Sequence, residues 1–180
     1  EQEVTPIVAI PVYGRSADNI RDHRHVTSLL HRIDTKECGV EVTPVLSFDE
    51  RGHQKNDTTY FVYGFTAEGN APKEFYPTVE SFIGEGGSFL IPEAVRVEKT
   101  GCTAGCHLEG KEAVGAFRFE RRKLKANESI EYVVLAGATG EKASISKICT
   151  LFGTKEQAEN ELAKVKKYWT EKVNVEFETG

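Results

Sequence analysis

The chain contains no methionine, one tryptophan and four cysteines among its 180 residues, and no apolar run approaches the roughly 20 residues that a membrane-spanning helix needs. A membrane partner is therefore not expected. It lacks a basic excess as well: 23 Lys and Arg stand against 28 Asp and Glu, for a formal net charge of -5. That balance argues against a nucleic-acid binder, which needs positive charge to neutralise phosphates. The basic clusters at 118–125 and 164–167 are interleaved with glutamates and read as solvated faces. No basic-then-apolar leader opens the sequence, so a cytoplasmic location is expected. A start at Glu1 without any methionine reads as a processed chain or a piece excised from a longer polypeptide. The length suits one well-buried core.

Four cysteines are too few for a disulfide-dense scaffold, so reduced thiols are the starting expectation. Cys102, Cys106 and His107 crowd six positions, yet structural zinc wants a second ligand pair at short spacing, and the other histidines lie far upstream. A local disulfide or two ordinary thiols in a glycine-containing turn are favoured over a metal, and no cofactor is expected. The glycine-rich stretch 84–87 lacks the Lys-Ser/Thr of a phosphate-cradling loop. It reads as a tight turn displaying Glu85, with close approach to a ligand as the alternative.

What stands out is the run from Tyr13 to His25, where charges and imidazoles crowd together with almost no apolar spacing. Neither a half-buried strand nor an amphipathic helix has that pattern, so a polar loop is predicted. Arg15, Asp18, Asn19, Arg21, Asp22, His23, Arg24 and His25 are the candidate substrate-binding residues. Arginine forks suit phosphate or carboxylate, and Asp and Asn suit sugar hydroxyls. An exposed loop whose Asp and Arg side chains only pair with one another is the competing reading. His23 and His25 are poor metal ligands, because neighbouring arginines place positive charge where the cation would sit. The Asp/Arg/His chemistry recurs at 48–53, and the adjacent Asp49 and Glu50 cannot face each other across a glycosidic bond. No catalytic residue is assigned.

Alternation and β-branched enrichment predict a hairpin over 26–48, a polar loop at 49–57, a buried strand at 58–66, and a further antiparallel pair formed by 112–120 and 129–137. These pieces pack naturally as an antiparallel β-sandwich, a mainly β fold. The tail changes period. Ala158, Leu162, Val165, Trp169 and Val173 recur at helical steps, and Thr154 with Gln157 matches a capping box. A β-sandwich domain over 1–153 followed by a linker helix over 154–173 is the expected organisation.

Three stretches taken together, IPVYGRSADNIRDHRHVTSLLHR at 10–32, FDERGH at 48–53 and FYPTVESFIGEGG at 75–87, resemble the N-terminal region of the carbohydrate phosphorylases of glycoside hydrolase family 94, formerly glycosyltransferase family 36. That family includes cellobiose, chitobiose and 1,2-β-oligoglucan phosphorylases. The similarity spans nearly the whole chain. It implies the later part of a galactose mutarotase-like supersandwich and the linker helix, with an (α/α)6 catalytic barrel beyond. It implies further that the parent carries out inverting phosphorolysis of a β-glucoside with inorganic phosphate. A homodimer is compatible with it. The family's general acid lies in the barrel, so the resemblance assigns no catalytic Asp or Glu here and implies an inactive isolated chain. The portion would shape or border the active-site cleft. The alternative is an independent carbohydrate-binding module, which calls for exposed aromatics. Tyr60, Phe61, Tyr63 and Phe65 sit in a core-like strand pattern, leaving Tyr13, Phe75 and Tyr76 as the loop candidates.

Overall fold

A computed structural model describes residues 1–14, 26–49 and 52–173. Its strands are β1 (Gln2–Val4), β2 (Ile7–Val12), β3 (His31–Lys36), β4 (Gly39–Pro44), β5 (Leu46–Asp49), β6 (Gly52–Lys55), β7 (Thr59–Thr66), β8 (Glu74–Thr78), β9 (His107–Glu109), β10 (Ala113–Arg118), β11 (Arg122–Leu124) and β12 (Tyr132–Thr139). Helices α1 (Val79–Ile83) and α2 (Glu93–Arg96) lie between β8 and β9, while α3 (Lys142–Phe152) and α4 (Lys155–Lys172) close the chain. The fold is mainly β, with antiparallel sheets and a C-terminal helix.

The main sheet has the order β12-β7-β4-β3-β9, and the second has the order β2-β10-β8. Side chains from both fill one core: Ile33, Val40, Val42 and Val62 come from the first, and Val12, Phe75, Ala113 and Phe117 from the second. The strand at 58–66 shows why its sequence is apolar without interruption. Val62 points into the shared core, whereas Phe61, Tyr63 and Phe65 face the other way and are covered by Ile145 of α3. A strand buried on both sides has no polar face to alternate. The outer face of the smaller sheet is covered in turn by α1 and α2, through Tyr76, Val79, Phe82, Ala94, Val114 and Ala116.

Several expectations need correction. The hairpin predicted over 26–48 is present only over 31–44, as β3 and β4 joined by a two-residue turn with Lys36 opposite Gly39, whereas 26–28, expected in its first strand, are helical. Residues 112–120 and 129–137 do not pair with each other, since β10 lies between β2 and β8 while β12 pairs with β7. The intervening β11 pairs with β1 at the N-terminus. β10 is buried along its whole length between two strands, whereas β12 is an edge strand that lays Val133 and Leu135 against the cluster of Phe61, Tyr63 and Phe65. The predicted loop at 49–57 contains half of a small hairpin, β5 with β6. Phe75 and Tyr76, offered as loop aromatics, are buried in β8. Arg118, assigned to a solvated face, is buried as well. Its guanidinium donates to Glu74 at 3.0 Å and to the carbonyls of Ala94 at 2.6 Å and Lys99 at 3.2 Å, and it lies 5.3 Å from the Tyr76 ring centre. A buried charge survives when it is paired and hydrogen-bonded in this way.

Candidate functional site

The eight candidate residues Arg15, Asp18, Asn19, Arg21, Asp22, His23, Arg24 and His25 lie outside the described residues. The described chain stops before that segment at Gly14 and resumes at Val26.

Gly14 is buried with φ +64, in the left-handed region that favours glycine. A Cβ there would lie 2.7 Å from His31 Nε2 and 2.8 Å from Pro44 Cγ, so the site has neither the backbone nor the space for a side chain. His31 itself opens β3 and is buried. Its Nε2 lies 3.3 Å from the Tyr13 carbonyl and its Nδ1 3.2 Å from the Lys111 carbonyl. A neutral imidazole carries one N–H and satisfies one of these acceptors at a time. Burial pushes the His31 pKa below its ordinary value of 6.5, while the two carbonyls and the Glu112 charge pull it back up. The stability this histidine contributes as a neutral ring is therefore present above pH 6.5 and lost as the pH falls toward its folded value. In effect, His31 is a clip between Tyr13, just past the end of β2, and Lys111, two residues before β10.

Around this clip lies a small pocket of about 10 Å³, lined by Tyr13, Ser28, His31, Val79 and Glu112 among others, with room for about one water. It adjoins a cleft of about 420 Å³. Ser28, Thr78, Glu80, Glu85, Lys111 and Glu112 give the cleft its polar groups, and Gly84, Gly86 and Gly110 bring backbone to its surface. Lys111 pairs with Glu80 at 3.0 Å across the rim.

The 84–87 stretch is the turn that its glycines predicted. Gly84, at φ +83, is the C-cap of α1 and donates to the Glu80 carbonyl at 3.0 Å, and Gly86 follows at φ +68. Glu85 is exposed. At the other end of α1, the Thr78 hydroxyl accepts from the Ser81 amide at 3.1 Å and the Ser81 hydroxyl accepts from the Thr78 amide at 3.1 Å. This reciprocal cap fixes the direction in which the glycine turn leaves the sheet.

The sequence reading missed His31, Lys111 and Glu112 as part of this site. A histidine opening an alternating strand was the available signal for the first, and no local signal marks the other two. Among the described residues no group of three or more His, Cys, Asp or Glu is arranged to hold a metal. His107 is engaged elsewhere, 2.8 Å from Asp34 and 3.2 Å from Glu109, and these carboxylates raise its pKa. Among the described residues no helix is long and apolar enough to cross a membrane.

No model of a known protein family matches this chain, and a search of curated proteins finds no match either.

Proposed function

We propose that this chain is the non-catalytic β-sandwich portion of a carbohydrate phosphorylase of the glycoside hydrolase family 94 type, bordering the cleft in which the parent cleaves a β-glucoside with inorganic phosphate. One observation carries the reading. Two of the three stretches on which the resemblance rests, 10–32 and 75–87, are far apart in sequence and converge on the cleft beside His31. That cleft is lined by hydroxyls, carboxylates and an ammonium, groups that recognise a polyhydroxylated ligand through hydrogen bonds. The proposed substrate-facing residues Arg15, Asp18, Asn19, Arg21, Asp22, His23, Arg24 and His25 follow Gly14 in the sequence.

A free-standing carbohydrate-binding module is the weaker reading, because it calls for a row of exposed rings on which sugars stack. The strand rings Phe61, Tyr63, Phe65, Phe75 and Tyr76 are all buried, and the exposed Phe89, Tyr168 and Trp169 lie on the 84–92 loop and α4 and not along one sheet face. The tail supports the accessory role in another way. Leu162, Val165, Tyr168 and Trp169 of α4 are all exposed. In this proposal that open stripe is the linker surface on which the catalytic barrel packs.

The test uses the complete gene product, assayed for phosphate-dependent release of glucose 1-phosphate from β-linked glucose disaccharides. Activity is expected from a product that continues into an (α/α)6 barrel, and none from the 180-residue chain alone. Within the active protein, Arg21→Ala or Asp22→Ala is expected to lower kcat/KM far more than Tm. Equal loss of activity and stability, or loss of neither, would return 15–25 to a purely structural loop.

A further inference from the structure

Cys102 and Cys106 bracket a five-residue loop whose two ends are fastened to different sheets. Cys102 exchanges two backbone hydrogen bonds with Phe75 of β8, each 2.9 Å. Cys106 is fastened to Thr35 of β3: the Cys106 amide donates to Thr35 Oγ1 at 2.9 Å and the Thr35 amide donates to the Cys106 carbonyl at 3.0 Å. Within the loop, Gly105 donates to the Thr35 carbonyl at 2.9 Å, and Thr35 Oγ1 donates to the Thr103 carbonyl at 2.9 Å. One threonine thus organises the whole turn. Both cysteines are free and half-buried, and the Cys106 thiol is near enough to raise that of Cys102.

We propose that Cys102 and Cys106 are a redox-active dithiol site that is oxidised to an intramolecular disulfide by a low-molecular-weight disulfide such as oxidised glutathione. The backbone clasp already holds both cysteines at the two ends of one short loop before oxidation. Burial first, and the Cys106 thiol beside it second, push the Cys102 thiol up. One thiol of the pair, as its thiolate, attacks one sulfur of the small disulfide, forming a mixed disulfide and expelling one small thiolate, which takes up the proton that thiol has lost. The other thiol then gives its proton to solvent and attacks the protein sulfur of the mixed disulfide, and the second small thiolate leaves and is protonated in turn. Two cysteine thiols are oxidised to one disulfide, and one small disulfide is reduced to two small thiols.

The position gives the bond a structural consequence. The strands it ties, β3 and β8, are the ones that carry His31 and Thr78 to the cleft from their other ends. Oxidation therefore pins the spacing of two strands that frame the cleft, whatever ligand the cleft takes. A second thiol pair offers an internal control. Cys38 and Cys149 are raised first by burial and belong to the apolar cluster under α3, without a comparable backbone clasp joining them.

The experiment equilibrates the purified chain with oxidised glutathione and maps the product by mass spectrometry. The expected result is loss of two hydrogens with a Cys102–Cys106 linkage, fully reversed by excess dithiothreitol. In Cys102→Ser the glutathione adduct is trapped on Cys106. In Cys106→Ser it is trapped on Cys102, because neither variant can complete the second exchange. A linkage involving Cys38 or Cys149, no loss of hydrogens in the unmutated chain, or loss of two hydrogens in either variant would overturn the proposal.

Discussion

Helices α1 and α4 both start at a threonine whose hydroxyl accepts from the amide three residues on, with the third residue's side chain returning a bond to the threonine amide, yet α1 buries Val79 and Phe82 and α4 buries nothing. Their lengths run the opposite way, 5 residues against 18. A five-residue helix cannot hold itself together in water, because nucleation costs more than one turn of hydrogen bonds returns. α1 therefore exists through its packing, with the Phe82 ring 6.0 Å from that of Tyr76 and against the outer face of the smaller sheet. α4 has the length and composition to be helical by itself. Alanine, glutamate and lysine dominate it, and Lys155–Glu159 at 3.8 Å, Lys167–Glu171 at 3.9 Å and the Lys164–Glu161 pair brace its surface. Its half-buried residues, Lys155, Gln157, Ala158 and Glu161, belong to the first two turns, where Lys155 also reaches Glu131 at 2.5 Å. The same cap thus starts one helix that tertiary contacts sustain and another that local interactions sustain.

The largest expected effect comes from the helix that depends on packing. Phe82 is 4 % exposed. Phe82→Ala removes a buried ring and leaves a cavity between α1 and the sheet, at a cost of about 3–5 kcal/mol. Denaturant unfolding of the variant checks it, and a loss below about 1 kcal/mol would mean that α1 does not need its seat.

The same contrast explains what could be read in the chain and what could not. The α4 cap was legible because Thr154 and Gln157 fit the usual spacing and an apolar period follows them directly. The α1 cap uses a serine at the third position and only five helical residues, so neither the motif nor the period announces it. Strand β7 was legible because burial on both faces makes its sequence uniformly apolar, and the β3–β4 hairpin because its alternation and turn are local. The partners of β10 and β12 were not legible, since choosing a sheet depends on faces contributed by strands far away in sequence. For the site, the 84–87 turn followed from its glycines. Tyr76 and Arg118 were misplaced because contacts with Ala94 and Lys99 that form only in three dimensions bury them, and Phe75 because it enters the core shared by both sheets.

A smaller effect separates the two caps. Removing an N-cap threonine costs about 1 kcal/mol where the helix is part of the cooperative fold. Thr78→Ala is therefore expected to lower Tm, because the α1 cap also sets the turn that lines the cleft. Thr154→Ala should instead reduce helical circular dichroism while leaving the main unfolding transition nearly in place, as expected of a helix end that opens locally. Equal Tm shifts for the two variants would show that α4 unfolds with the sheets and would weaken the distinction drawn between the helices.

The smallest expected effect is the sharpest test of the open stripe. Trp169 is 58 % exposed, and Leu162, Val165 and Val173, also on the apolar side of α4, are similarly open. Its ring touches Tyr168, with centroids 5.4 Å apart in an edge-to-face arrangement, a contact within the same helix. Trp169→Ala should accordingly change global stability by no more than about 0.5 kcal/mol, the range of surface substitutions. Because Trp169 is the sole tryptophan, the unmutated chain offers an independent reading: its fluorescence should be quenched by acrylamide almost as readily as in the denatured chain. A loss of about 3–5 kcal/mol, the cost of deleting a buried ring, together with protected fluorescence, would mean that the stripe packs against the sheets or a second copy of the chain. α4 would then join α1 as a helix sustained by its contacts, and the surface left for a following barrel would no longer be free.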